Sequence, residues 1–316
     1  MVTCYQYPIK TLLPAAAQLG ESPVWSVEEQ ALYWVDILKP AVYRYDPATG
    51  SNQAWPASHM VGSICLNNAG EIVGALRNGF HWLDKETGDW TLIARPNPDL
   101  DYTRLNDGKA GPDGAFWAGT MDLRPIKEAC ASLFRLAPDG TVSCEGNGLM
   151  VSNGLAWSPD GSTMYHSDSR GLVIYQYAFD AKNGTAGERI VFCKPEPESG
   201  RPDGAAVDVN GCYWSCGNGA GRINQFSPQG ELLGYIPMPV SAPTMCAFGG
   251  ADMKTLFVAS MVPDSSEGIK LKCELDGSLF AIDMPIAGAP VGRYGARVLA
   301  ETENAVKQRL ANLQLS

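Results

Sequence analysis

Short runs rich in Val, Ile, Tyr, Trp and Phe recur along the chain, and each closes on Asp-Gly, Asn-Gly or Pro-Asp-Gly. One stretch shows the rhythm: "GLAWS" is followed by the turn "PDG", then by "TMYHSDS", then by "VIYQYAF", which ends at an aspartate. Apolar runs punctuated in this way predict strands joined by tight turns. Helical periodicity is nearly absent. The one exception is the tail, where Val298, Leu299, Val306, Leu310 and Leu313 predict a short amphipathic helix around 296–315.

The strand groups repeat. Similar stretches begin at Gly20, Gly62, Leu105, Ser152, Pro202 and Pro243, roughly six repeats with a period of about 40–50 residues, the size of a four-stranded propeller blade. The pattern predicts an all-β fold, a six-bladed β-propeller forming a single domain over 1–316. The ring is expected to close through the N-terminal "TCYQYPIKTLL" pairing into the last blade. Radial packing puts the first strand of each repeat innermost. Glu21, Asn106, Asn153 and Asp203, which occupy one position in four different repeats just ahead of that strand, are therefore expected to converge at one mouth of the central channel.

Composition narrows the function. Of 316 residues, 24 are Lys or Arg and 34 are Asp or Glu, a net charge of −10, which argues against nucleic acid and anionic membranes as partners. With 45% hydrophobic and 18% charged residues the chain can bury a sizeable core. Nine scattered cysteines do not read as a disulfide framework. They are expected to be mostly buried thiols, and Cys212 and Cys216 to share a strand face without completing a zinc set. Residues 1–20 hold too few apolar positions for a signal or a membrane span. The expectation is a cytoplasmic protein, a monomer or small homo-oligomer.

Two carboxylates and amide carbonyls are all oxygen donors and suit a hard divalent cation such as Ca²⁺, Mg²⁺ or Mn²⁺. Asn-Gly and Pro-Asp-Gly are also ordinary turn sequences, so spacing alone leaves a metal site and a set of turns both open. His59, His81 and His166 fall elsewhere in their repeats, which supports neither a histidine-rich zinc site nor a Ser-His-Asp triad.

The motifs "GESPVW", "RLNDGK", "FWAGTMD", "VSNGLAWSPDG" and "RPDGAAVD", in this order over nearly the whole chain, together with "CAFGG" in the last repeat, resemble the senescence-marker-protein/gluconolactonase/regucalcin-like family of sugar lactonases. The resemblance implies a six-bladed propeller with one divalent cation (Ca, Mg, Mn, Zn or Fe(II)) in the channel and hydrolysis of a sugar lactone to the aldonic acid. It implies Glu21, Asn153 and Asp203 as metal ligands and Arg104 and Asn106 as substrate contacts, Asn106 near enough to the metal to be a further ligand; of these, Asp203 is the best candidate for the catalytic base that takes a proton from the attacking water. The chain departs from the family after "GTM", where Asp122, Leu123 and Arg124 replace a glutamate pair. Asp122 is then either a substrate-binding carboxylate or a strand cap like Asp36 and Asp168. Two rival functions share the site: a phosphotriester hydrolase and a non-enzymatic calcium-binding regulator.

Overall fold

The computed structural model describes residues 2–96, 102–263, 269 and 273–295; the helix expected around 296–315 lies outside them. Six small sheets form a six-bladed propeller. The innermost strands are Gly20–Ser26, Val61–Leu66, Thr103–Ala110, Ser152–Trp157, Arg201–Val207 and Pro243–Gly249, in blades one to six. Each pairs antiparallel with the next strand of its blade. Blade six is completed from the other end of the chain, by Ile9–Leu13 pairing antiparallel with Leu279–Asp283. The N-terminus does more than expected, since Thr3–Cys4 also adds to blade five, parallel to Leu232–Pro237. Thr244 Oγ1 donates to the Gly20 carbonyl and joins the sixth inner strand to the first.

Inner strands are covered on both flanks by neighbouring blades and are buried along most of their length, whereas outer strands such as Asn52–Pro56 and Trp90–Ala94 are mostly half-buried or exposed. The apolar core accordingly lies between blades. Tyr33, Val35 and Trp55 of blade one pack with Ile64, Ile72 and Leu83 of blade two. Trp214 and Ile223 of blade five pack with Val258 and Phe280 of blade six. This burial is the main favourable term in folding.

The cysteines depart from expectation. Cys65, Cys216 and Cys246 are buried, but Cys130, Cys193, Cys212 and Cys273 are partly exposed and Cys4 and Cys144 exposed. The exposed pair sits on outer strands, Thr3–Cys4 and Val142–Leu149, where no further blade layer covers them. Cys212 lies one residue ahead of the strand Tyr213–Asn218 that contains Cys216.

Candidate functional site

All six inner strands carry a register shift near their start: between Glu21 and Val24, Val61 and Ser63, Leu105 and Gly108, Asn153 and Ala156, Pro202 and Ala205, and Pro243 and Cys246. A bulge leaves residues unpaired, bends the strand and re-aims side chains. Glu21, Asn106, Asn153 and Asp203 all sit at these bulges. They lie inside the strands, not just ahead of them, because pairing already begins with Gly20, Thr103, Ser152 and Arg201. The backbone turns left-handed after two of the four, at Ser22 (φ 48°) and Gly154 (φ 65°). Ser22 is held there by its hydroxyl, which accepts the Ile64 N–H of blade two at 2.9 Å. At Gly154 a Cβ would press into the Tyr213 hydroxyl and Ser167 Oγ, so glycine is required on both conformational and steric grounds.

Hydrogen bonds link Asn106 and Asn153 to the strand of Asp203, while Glu21 accepts the Ser22 N–H at 3.1 Å. Arg104 Nη1 donates to Asn106 Oδ1 at 2.6 Å and to the Leu105 carbonyl at 3.0 Å. Asn106 Nδ2 donates to the Ser152 carbonyl at 2.8 Å and reaches Asn153 Oδ1 at 3.3 Å. Asn153 Nδ2 donates to Ser169 Oγ at 2.7 Å, and that hydroxyl donates to the Pro202 carbonyl at 2.6 Å, next to Asp203. With its only proton given to Pro202, Ser169 can only accept from Asn153. The Asn153 amide is thereby fixed with its nitrogen toward Ser169 and its oxygen on the Asn106 side. On blade five, Asn218 Nδ2 donates to Asp203 Oδ2 at 2.9 Å, and Arg201 Nη2 donates to Asn218 Oδ1 at 2.9 Å.

Acidic groups crowd this space. Glu21 is buried (7% exposed) and Asp203 partly so. Burial first, then the neighbouring Asp203 and Asp107 carboxylates, push Glu21 well above the usual carboxylate range, against an opposing pull from the Ser22 N–H and Arg104. Burial likewise pushes Asp203 up to about 7; Asp107 adds to the rise, and Arg201 and the Asn218 amide resist it. Burial also raises Asp107 and pulls Arg104 down to about 10. Asp107 lies beneath, its Oδ2 accepting the Leu155 N–H at 2.9 Å and its Oδ1 without a protein partner. Lys109 points its ammonium to the Ala205 carbonyl at 2.6 Å.

Mutually repelling buried carboxylates, an orphaned acidic oxygen and an amide oxygen with fixed orientation fit a hard divalent cation. Among the described residues no three histidine, cysteine or carboxylate side chains form a metal-holding group, so a cation here depends on the Asn153 oxygen beside Glu21 and Asp203.

Asp122 is placed differently. Its side chain has no exposure. Its Oδ1 accepts from the Arg124 N–H and Nε, both at 2.9 Å, and its Oδ2 accepts from Arg124 Nη2 at 2.9 Å and the Glu128 N–H at 2.8 Å. That is the cap arrangement of Asp36, which accepts the N–H groups of Gln18, Leu19, Leu38 and Lys39, and of Asp168, which accepts those of Met150, Val151, Arg170 and Gly171. Of the histidines, His166 is buried against Ser152 Oγ (2.6 Å) within blade four, and burial pulls it down to about 3. Sequence reasoning missed Ser169, Asn218 and Asp107. Asn218 alone carried a signal, as an amide at a strand end where other blades have aspartate.

A groove of about 530 Å³ opens beside Asn218 and Arg201, lined also by Leu172, Pro195, Glu198 and Ile269.

Residues 19–262 match the SMP-30/Gluconolactonase/LRE-like region. The chain belongs to this family. It is 37% identical to a 6-deoxy-6-sulfogluconolactonase of Pseudomonas putida over 89% of its own length and 96% of that protein's. It is 34% identical to a regucalcin of Xenopus laevis over 87% and 93%. A solved structure of a calcium-binding protein, regucalcin, from Agrobacterium tumefaciens superposes with a TM-score of 0.86 at 25% identity, covering 94% of this chain and 100% of that one. The family match spans all six inner strands, and with them every residue of the candidate site. No helix among the described residues is long and apolar enough to cross a membrane.

Proposed function

We propose that this family member hydrolyses a sugar lactone to its aldonic acid, with one divalent cation held by Glu21, Asn153 and Asp203. The observation that carries the reading is the meeting of two raised carboxylates with an amide oxygen beside the buried Arg104–Asn106 pair. Lactonase relatives support the reaction class. When bound, the cation supplies Lewis acidity toward the lactone carbonyl.

The chain's own groups do the rest. Asp203 is the carboxylate placed to take a proton from the attacking water as its oxygen bonds to the carbonyl carbon. The same carboxyl can return that proton to the ring oxygen when the ester C–O bond breaks, giving hydroxyl and acid. Arg104 offers guanidinium donors to the substrate's oxygens, and its contacts to Leu105 and Asn106 hold it in one orientation. Asp122, with its carboxylate already occupied, holds the loop after "GTMD" and leaves the sugar to Arg104 and Asn106.

Chelation tests the reading. EDTA-treated protein should lose gluconolactone hydrolysis with an unchanged circular dichroism spectrum, and Mn²⁺ or Ca²⁺ should restore it. Full activity in metal-free protein overturns the metal reading. Faster hydrolysis of a phosphotriester than of any lactone overturns the substrate class, and no turnover of either leaves the calcium-binding regulator.

A further inference from the structure

Asn218 ends the second strand of blade five and pairs with Arg201, the first residue of the inner strand. The same register position is Asp36 opposite Gly20 in blade one, Asp122 opposite Thr103 in blade three and Asp168 opposite Ser152 in blade four. Those three aspartates cap the following turn through backbone N–H groups. In blade five the turn closes without the side chain: the Ala220 N–H bonds the Gly217 carbonyl, and Gly219 (φ 87°) and Gly221 (φ 63°) adopt left-handed backbone. The Asn218 side chain is released from capping and turns to Asp203.

We propose that Asn218 is a positioning residue that presents the Asp203 carboxylate to the bound cation and to water, with Arg201 fixing the amide; the inference rests on the metal-lactonase reading above. The Arg201 guanidinium can only donate, so its contact to Asn218 identifies the amide oxygen, and the amide N–H must face Asp203 Oδ2. Oδ2 is thus anchored by the amide. An aspartate here, tolerated in three other blades, would set a second carboxylate about 3 Å from Asp203, where two like charges cannot both persist. Asn218 is 5% exposed, and both ends of its amide are engaged in these hydrogen bonds.

Mn²⁺ titration by calorimetry and kcat on gluconolactone test this in Asn218→Ala and Arg201→Ala. Loss of a partner that orients a ligand costs about 10–100-fold in metal affinity or activity. Asn218→Ala is expected to raise the Mn²⁺ Kd and lower kcat on that scale, while the metal-free melting temperature changes little. Values within about threefold of the native protein overturn the proposal. Should Asn218→Ala fail to fold, Arg201→Ala decides by sign. A merely Coulombic Arg201 opposes a cation, so its removal would tighten Mn²⁺; positioning through Asn218 requires weaker binding, and equal or tighter binding overturns it. Native protein that binds no Mn²⁺ defeats the metal reading itself, a result distinct from a native protein that binds Mn²⁺ and an Asn218→Ala variant that binds it equally.

Discussion

Asp122, at the end of the second strand of blade three, and Asp203, near the start of the inner strand of blade five, have opposite surroundings. The Asp122 side chain has no solvent exposure, and hydrogen bonds from Arg124 first, then from backbone N–H groups, hold it well below the usual carboxylate range. Asp203 keeps an open edge, receives one side-chain donor, from Asn218, and is pushed up to about 7 by burial and by Asp107. Loss of solvent contact therefore does not by itself mark the proposed reactive carboxylate. Unmet hydrogen-bonding capacity does: Asp122 has every acceptor direction filled, whereas Asp203 has capacity left for a cation and a proton.

The sharpest way to break this contrast is to make the same substitution at both places. Asp203→Asn keeps a carbonyl oxygen for a cation but cannot take a proton from water, so kcat on gluconolactone is expected to fall on the order of 10²–10⁴-fold. Asp122→Asn should stay within about fivefold, because it disturbs a loop and not the reacting atoms. Metal content measured on both variants separates a lost base from a lost ligand. Comparable losses of kcat at the two positions would show that the loop after "GTMD" is part of the chemistry.

Why the sequence left Asp122 open between a substrate-binding carboxylate and a strand cap is a matter of range. Blades were legible because every inner strand needs a continuous apolar run and every hairpin a turn sequence, both local properties. Glu21, Asn106, Asn153 and Asp203 were legible because they recur at one position of that rhythm. The role of Asp122 depends on Arg124 folding back across two residues and on the Glu128 N–H six residues away. Asn218 reaches Asp203 across 15 residues, and Ser169 reaches Pro202 across 33. Periodicity carries no trace of such pairings. Nor did it reveal that the site residues lie within strands, since bulges leave the apolar rhythm intact.

Arg104 sharpens the comparison from the substrate side. If Asp122 takes no part in recognition, discrimination among lactones falls to Arg104 and Asn106. Arg104→Ala is then expected to lower kcat/KM for a polyhydroxylated lactone about 10–100-fold and for an unsubstituted lactone several-fold less, since only the sugar offers hydroxyls to the guanidinium. Asp122→Ala should not change the ratio between the two substrates. Equal losses on both lactones for Arg104→Ala would remove it from sugar recognition, and a changed ratio for Asp122→Ala would restore Asp122 to that role.

The smallest effect is the most diagnostic, because the two aspartates should shift stability in opposite directions. With its folded pKa raised to about 7, metal-free Asp203 holds a proton more tightly in the folded than in the unfolded chain. Its contribution to stability is therefore favourable in acid and declines as pH rises from about 4 through about 7. Asn carries no charge to bury, so Asp203→Asn should stabilise EDTA-treated protein at about pH 8 by about 1–2 kcal/mol, allowing for screening at its open edge, with the gain gone near pH 4. Asp122 has a lowered pKa, so its stabilisation is present above the unfolded value and fades as pH falls toward the folded one. Asp122→Asn should destabilise by about 2 kcal/mol at about pH 8 as backbone and Arg124 donors lose their acceptors, and the deficit should narrow in acid. Urea denaturation of both variants at two pH values gives the signs directly, and a shared sign at about pH 8 would mean that the cap and the open carboxylate are not the distinct environments the hydrogen bonds describe.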